Sequence, residues 1–205
     1  MTIIFHHSPH STACATHWVL EEVGVPYDKV RYDLRRRDQD KADFRAINPN
    51  GKVPVIVVDG TPIFESAAIA AYLGETYGTA KRVYPEPGIK RAQALQWLTW
   101  TNVSLAHSIA VYTQTQGEQG PANQHNAALA AAAKAETERL LGILDAHLAT
   151  RSWVLGDQFT IVDAHLASFV SYAGIVGFPA KPWKHVEAWL GRATQRPGFA
   201  VSMQP

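Results

Sequence analysis

Two apolar runs, "VPVIVV" at 53–58 and "PIF" at 62–64, flank the dipeptide Asp59-Gly60. Asp-Gly in that setting is the strongest short hairpin signal, because both central residues of a type I′ turn need positive φ. These strands must therefore run antiparallel. Upstream, "TIIFHH" reads as a strand, "TACATHWVLEEVG" as a helix closed by Gly24, and "YDKVRYDL" as a second strand, which together make a βαβ unit. The charged "RRRDQDKADFRAI" reads as a short helix with solvated ends, and beyond the hairpin Ser66 is expected to cap a helix over "AAIAAYLGETY" that closes at Gly78.

The pattern changes after Gly78. "TAKRVYPEPG" carries two prolines and a glycine, as an interdomain linker does, and from Ile89 onward no strand is apparent. "IKRAQALQWLTWTNVSLAHSIAVYTQ" and "NQHNAALAAAAKAETERLLGILDAHLAT" each hold a multi-turn helix, separated by the polar "TQGEQGPAN". "FTIVDAHLASFVSYAGIVG" adds a helix whose Thr160 and Asp163 resemble a capping box, and "WKHVEAWLGRATQRPG" gives the last one. The expected layout is an α/β domain over 1–78, a linker over 79–88 and an all-α domain over 89–205.

Across the 205 residues, 46% are apolar and 18% charged, with a formal charge of +1, so neither disorder nor a nucleic-acid partner is indicated. "MTIIFHHSPH" has no basic n-region, and no segment holds 18 uncharged apolar residues in a row, which points away from membranes and toward a cytoplasmic location. Cys14 is the single cysteine, which excludes an intrachain disulfide and a CxxC pair and suits a reduced compartment.

"NPNGKVPVIVVDGTPIFESAAIAAYL", with Val53-Pro54 before the hairpin and Glu65-Ser66 opening the next helix, resembles the glutathione-site segment of the glutathione transferase superfamily. "WVLGDQFTIVDAHLAS" resembles that superfamily's C-terminal signature, and the whole pattern is most similar to bacterial beta-like members, without their catalytic cysteine. The resemblance implies a thioredoxin-like domain followed by a helical bundle. It also implies a cis Val53-Pro54 bond, although X-Pro bonds are cis only about 5–6% of the time. Val53 would then pair its backbone with the cysteinyl part of glutathione. Glu65 would take the γ-glutamyl ammonium, and the N–H and hydroxyl of Ser66 the carboxylate, at a helix start where free N–H groups and the positive dipole end favour an anion. Lys52, or Lys41 as second choice, is the candidate for the glycyl carboxylate. Trp100, His107 and Tyr112 are the candidates for the second substrate's pocket, bordered by the loop from Gln114 to Asn123; His107 falls where the beta class usually has a basic residue near the thiol.

A thiol attacks as thiolate, and at an ordinary pKa of about 8.5 only roughly 3% is ionised at pH 7. Lowering that pKa by about two units raises the fraction some twenty-fold and needs about 2.7 kcal/mol of thiolate stabilisation, which a hydroxyl donor at a helix start can largely supply. Three registers compete for that donor in "SPHSTACATHW". Alignment on the beta class puts Thr12 at the cysteine position; counting back from Val23-Gly24 on the serine branches puts His10 there; an "SPxS" pattern makes it Ser8, with Ser11 reachable as helix cap. Cys14 falls at none of these positions and reads as a small buried hydrophobe. A metal site is not expected, because His6 and His7 point to opposite faces of a strand, while His10 and Cys14 alone supply only two ligands.

The activity implied by the resemblance is conjugation of glutathione, as co-substrate and with no tightly bound cofactor, to a small hydrophobic electrophile by a homodimer. Glutathione-dependent peroxidase, isomerase or ether-cleaving activity and non-catalytic glutathione binding are the alternatives.

Overall fold

The computed structural model describes residues 2–117 and 125–204. Its first half holds strands β1 (Ile3–His7), β2 (Asp28–Arg31), β3 (Val55–Val58) and β4 (Thr61–Phe64) in one sheet of order β2-β1-β3-β4. β1 runs parallel to β2, with Ile4 opposite Asp28, and antiparallel to β3, with Phe5 opposite Ile56. The β3–β4 hairpin turns through Asp59 and Gly60 at φ 46° and 86°, as the Asp-Gly signal requires.

Alternation along β1 divides the covering helices. Phe5 and His7 face α1 (Ala13–Val23), where His17 packs against both rings, while His6 faces the other way toward Phe44 of α2 (Ala42–Ile47). The charged segment before the hairpin forms a 3₁₀ turn at Asp38–Asp40 and then α2, a broken version of the expected short helix. α3 (Ser66–Leu73) runs on into a π-helical turn, Gly74–Gly78.

The second half is helical. α4 (Ile89–Trp100), a π segment (Thr101–Ala106) and α5 (His107–Thr115) follow one another without a break. α6 (Ala127–Leu148) is capped by Asn126, whose side chain accepts from the Leu129 N–H at 3.0 Å. α7 (Ile161–Ile175) is buried along most of its length and packs against α1, so the apolar core is continuous between the two halves. Thr160 and Asp163 form the expected capping box. Asp163 also accepts from Val154 N–H (2.8 Å) and Trp189 Nε1–H (2.9 Å), so this buried carboxylate ties the preceding loop and Trp189 to the helix start.

The single final helix expected over 183–198 is two: α8 (Lys184–Ala193) and α9 (Pro197–Ser202). Pro197 sits at the first helical positions, where its preset φ and missing N–H start a helix rather than continue one. α9 returns the chain to α1, where Phe199 packs on Trp18 at 5.0 Å between ring centroids. Among the described residues, the bridge between Trp153 and Gly156 is the one sheet-type pairing beyond Ile89.

Candidate active site at the starts of α1 and α3

Leaving β1, the chain turns through buried Ser8 and then exposed His10, which sits in the left-handed region at φ 54°. Ser11 closes this turn: its hydroxyl donates to the Ser8 carbonyl at 2.7 Å and accepts from the Ala13 N–H at 3.1 Å. Both sides of that hydroxyl are committed to the backbone. Thr12 is exposed, and its hydroxyl donates to the Val53 carbonyl at 3.4 Å, long for an O–H···O bond and easily exchanged. Cys14 is buried and burial pushes its thiol pKa up, the reverse of what a nucleophile needs.

Val53 itself is presented by a loop that Asn48 builds. Asn48 is 2% exposed; its Nδ2 donates to the Lys52 carbonyl at 2.7 Å, and its Oδ1 accepts from the Asn50 N–H at 3.1 Å and the Asn50 side-chain amide at 3.2 Å. The Val53-Pro54 bond that follows is cis. Asn48 is absent from the residues singled out by sequence; its signal is the Asn-Pro-Asn-Gly run, in which an Asn side chain folds over its own backbone. Lys52 is exposed, whereas Lys41 pairs with Asp38 at 2.6 Å.

At the start of α3, the cap position belongs to Glu65 and not to Ser66. Glu65 turns the chain at φ 69°, makes no side-chain cap and is exposed, which places Ser66 one residue inside the helix. Ser66 is buried, and its hydroxyl oxygen accepts from Asn102 Nδ2 at 2.9 Å. Asn102 belongs to the π segment, a kind of irregularity frequent at functional sites.

Between the α1 start and the helical half lies a cavity of about 240 Å³, lined by His10, Ser11 and Thr12 on one side and by Ala106, Ile109, Ala110, Thr113, Gln114, Phe169 and Tyr172 on the other. Trp100, His107 and Tyr112 do not line it. Trp100 packs on Trp97 at 5.1 Å, Tyr112 packs on Phe178 at 4.9 Å, and His107 is exposed. The helical phase explains this: Ala106, Ile109, Ala110 and Thr113 share one face by their 3–4 spacing, and His107 lies about 100° around the helix from Ala106. Of the loop expected at the pocket mouth, residues 118–123 lie outside the described residues. On the far side of His10, a second cleft of about 380 Å³ brings Arg31 and Arg35 beside Ser8.

The expectations about metal rest on the same turn. His6 Nδ1 lies 3.0 Å from the Tyr32 hydroxyl on one face of the sheet, and His7 is buried on the other. Among the described residues no three His, Cys, Asp or Glu side chains gather as a metal site would need.

Residues 2–75 match the glutathione S-transferase N-terminal domain and residues 98–197 the C-terminal domain. Over 180 residues the chain is 33% identical to glutathione S-transferase GstB of Escherichia coli strain K12, covering 87% of this chain and 86% of that protein. The chain belongs to the glutathione S-transferase family. Its architecture is accordingly the thioredoxin-like sheet domain followed by the helical domain of solved transferases. The theta-class glutathione S-transferase of Xanthomonas axonopodis pv. citri, solved with glutathione bound, superposes with a TM-score of 0.85 at 28% identity over 100% of this chain and 98% of its own. A glutathione transferase of Burkholderia graminis, solved with two glutathione molecules per subunit, superposes at 0.87 with 25% identity over 98% of this chain and 87% of its own.

Proposed function

We propose that this family member binds glutathione across the starts of α1 and α3 and transfers it to a small hydrophobic electrophile held in the cavity beside Thr12. The observation that carries the reading is the meeting of Thr12 and Val53, a helix-start hydroxyl within 3.4 Å of the backbone next to the cis Pro54. When the cysteinyl N–H of glutathione pairs with the Val53 carbonyl, the Thr12 hydroxyl is displaced and turns to the sulfur. There it donates to the thiolate together with the positive end of α1. Of the four candidates, Ser11 is tied to Ser8 and Ala13, Ser8 is buried beneath the turn, and His10 stands at the rim as a secondary contact.

Glu65 and Ser66 take the ammonium and carboxylate of the γ-glutamyl group. For the glycyl carboxylate, Arg31 and Arg35 in the cleft beside Ser8 stand with Lys52 as candidates, whereas Lys41 is neutralised by Asp38. The electrophile's contacts are Ile109, Ala110, Phe169 and Tyr172 instead of Trp100, His107 and Tyr112. No described helix is long and apolar enough to cross a membrane, in keeping with a cytoplasmic transferase. Exposed Ile89, Leu95 and Val103 along α4 and the following segment suit pairing of two copies, which light scattering of the purified protein checks.

A second reading is favoured by the polar groups of the cavity, His10, Thr113 and Gln114. The Burkholderia relative was solved with two glutathione molecules per subunit; in this reading the cavity takes a second glutathione, and the two thiols, oxidised together to glutathione disulfide, reduce a disulfide or peroxide. Retention on immobilised glutathione and turnover of a chlorinated nitrobenzene test the first reading, and absence of both sinks it. Calorimetric stoichiometry separates the two: one glutathione per chain supports conjugation, two supports the alternative.

A further inference from the structure

Ser66, Asn102 and His165 come from α3, the π segment and α7, and they form one hydrogen-bonded file. Asn102 Nδ2 donates to Ser66 Oγ at 2.9 Å, and His165 Nε2 lies 2.9 Å from Asn102 Oδ1. His165 is fully buried, and its other ring nitrogen, Nδ1, has no partner. Its ring packs on Phe169, which lines the cavity beside Thr12.

Such a file can run in two directions. With the proton on Nε2, His165 donates to Asn102, Asn102 donates to Ser66, and the Ser66 O–H remains free to donate elsewhere. With the proton on Nδ1, the amide reverses, Ser66 must donate inward to Asn102, and a buried N–H is left without an acceptor. An orphaned buried N–H is among the rarest and costliest features of a folded interior, so the first direction prevails. The doubly protonated ring does not enter, since complete burial pulls the His165 pKa down to about 3.

We infer that His165, acting through Asn102, is a positioning residue that holds the Ser66 hydroxyl as a hydrogen-bond donor facing the α-carboxylate of the γ-glutamyl group. The inference rests on the glutathione reading above and adds a discrimination to it. A serine hydroxyl with no such file can rotate its proton inward and offer a lone pair to a carboxylate, which repels it. With the file in place, the oxygen already accepts from Asn102 and the proton points outward. A ligand without that carboxylate gains nothing from the arrangement.

The test compares glutathione with γ-aminobutyryl-cysteinyl-glycine, which lacks only that carboxylate, by calorimetry on the full chain. His165→Leu is expected to weaken glutathione about ten-fold, the scale of one hydrogen bond to a charged group, and to leave the analogue within about two-fold. His165→Gln, whose amide can still donate to Asn102, is expected to restore most of the loss. In turnover, the Michaelis constant for glutathione carries the change while kcat at saturation moves less than about two-fold. Asn102→Asp, near-isosteric and half-buried, covers the case in which His165→Leu does not fold; it makes Ser66 donate inward and lowers glutathione affinity at least about ten-fold with the analogue spared. Equal weakening of both ligands, or of neither, overturns the positioning role alone. Wild-type protein that binds no glutathione overturns the functional reading as well.

Discussion

At its C-terminal end α1 is held by several partners at once, whereas at its N-terminal end the exposed Thr12 hydroxyl is held by one long hydrogen bond. Gly24 closes the last turn at φ 60°, its N–H donating to the Leu20 carbonyl at 2.9 Å, and the Lys81 ammonium donates to the carbonyls of Val23 and Gly24. Glu22 accepts from Trp18 Nε1 at 3.0 Å and from Arg196 at 2.8 and 2.6 Å, while the Arg196 guanidinium lies 3.8 Å over the Phe159 ring. A cation there complements the negative end of the helix dipole. At the other end Thr12 is tethered at 3.4 Å to Val53. The difference separates what holds the helix from what the helix offers: a rod fixed at one end presents, at the other, a donor and a dipole not already consumed by the protein.

Between those ends α1 carries His17, buried with His7 against the ring of Phe5, and α7 carries His165. Burial pulls all three pKa values below the usual 6.5, His7 to about 4 and His165 to about 3. The unfolded chain, with ordinary histidines, therefore binds protons first. Stability is complete above about pH 6.5 and falls as pH drops toward the folded-state values. From pH 7 to pH 5 His165 alone should remove about 2 kcal/mol, with His7 and His17 adding to it. Urea midpoints measured across that range check this, and a midpoint that stays level would break the idea that the middle of the fold is held by neutral histidines. Next in size, Glu22→Ala removes the acceptor shared by Trp18 and Arg196 and should lower the unfolding free energy by about 2 kcal/mol. The ionisation of bound glutathione should stay where it was. A loss of thiolate in that variant would mean the two ends of α1 are not separate.

How far these features could be read from the amino-acid sequence follows the range over which they act. The Asp59-Gly60 hairpin, the Gly24 stop and the Thr160–Asp163 box are local, each set within a few residues, and each is legible. The cis Val53-Pro54 bond runs against the local preference and is legible only through resemblance to a family. The pocket face is different. Its phase depends on the π segment at 101–106, whose wider turns slip the register of everything after them, so the placing of His107 and Tyr112 relative to Trp100 does not follow from an ideal helix, and the wall is built from Ala106, Ile109, Ala110 and Thr113. Asn48 was hidden by its ordinariness, an Asn in a turn. The Asn102–His165 bond joins residues 63 apart in the chain, and nothing near either one announces the other. Ser66 shows the smallest error: a one-residue shift at a helix start moved the cap to Glu65, whose positive φ no pattern rule supplies.

The open end of α1 gives the third prediction. Thr12→Val keeps the shape and removes the hydroxyl, so the bound glutathione thiol should lose one charge-assisted hydrogen bond and its pKa should rise by about one unit, equivalent to about 1.4 kcal/mol. Absorbance of the thiolate against pH reads this directly. Thr12→Ser should keep the wild-type value. Ser11→Ala should instead cost stability, because that hydroxyl braces Ser8 and Ala13. If Ser11→Ala raises the thiol pKa and Thr12→Val does not, the assignment of the donor is reversed.

The smallest effect tests the separation itself. Lys81→Met removes the ammonium from the Val23 and Gly24 carbonyls and leaves them to water, which should cost about 0.5–1 kcal/mol of stability. α1 spans 11 residues, so its ends stand about 16 Å apart, beyond the distance at which substitutions normally couple. The double variant Lys81→Met with Thr12→Val should therefore lose stability and raise the thiol pKa by the sums of the single effects, within about 0.5 kcal/mol. A larger deviation would show that tension at the fixed end reaches the open one. The helix would then be part of the catalytic device along its whole length.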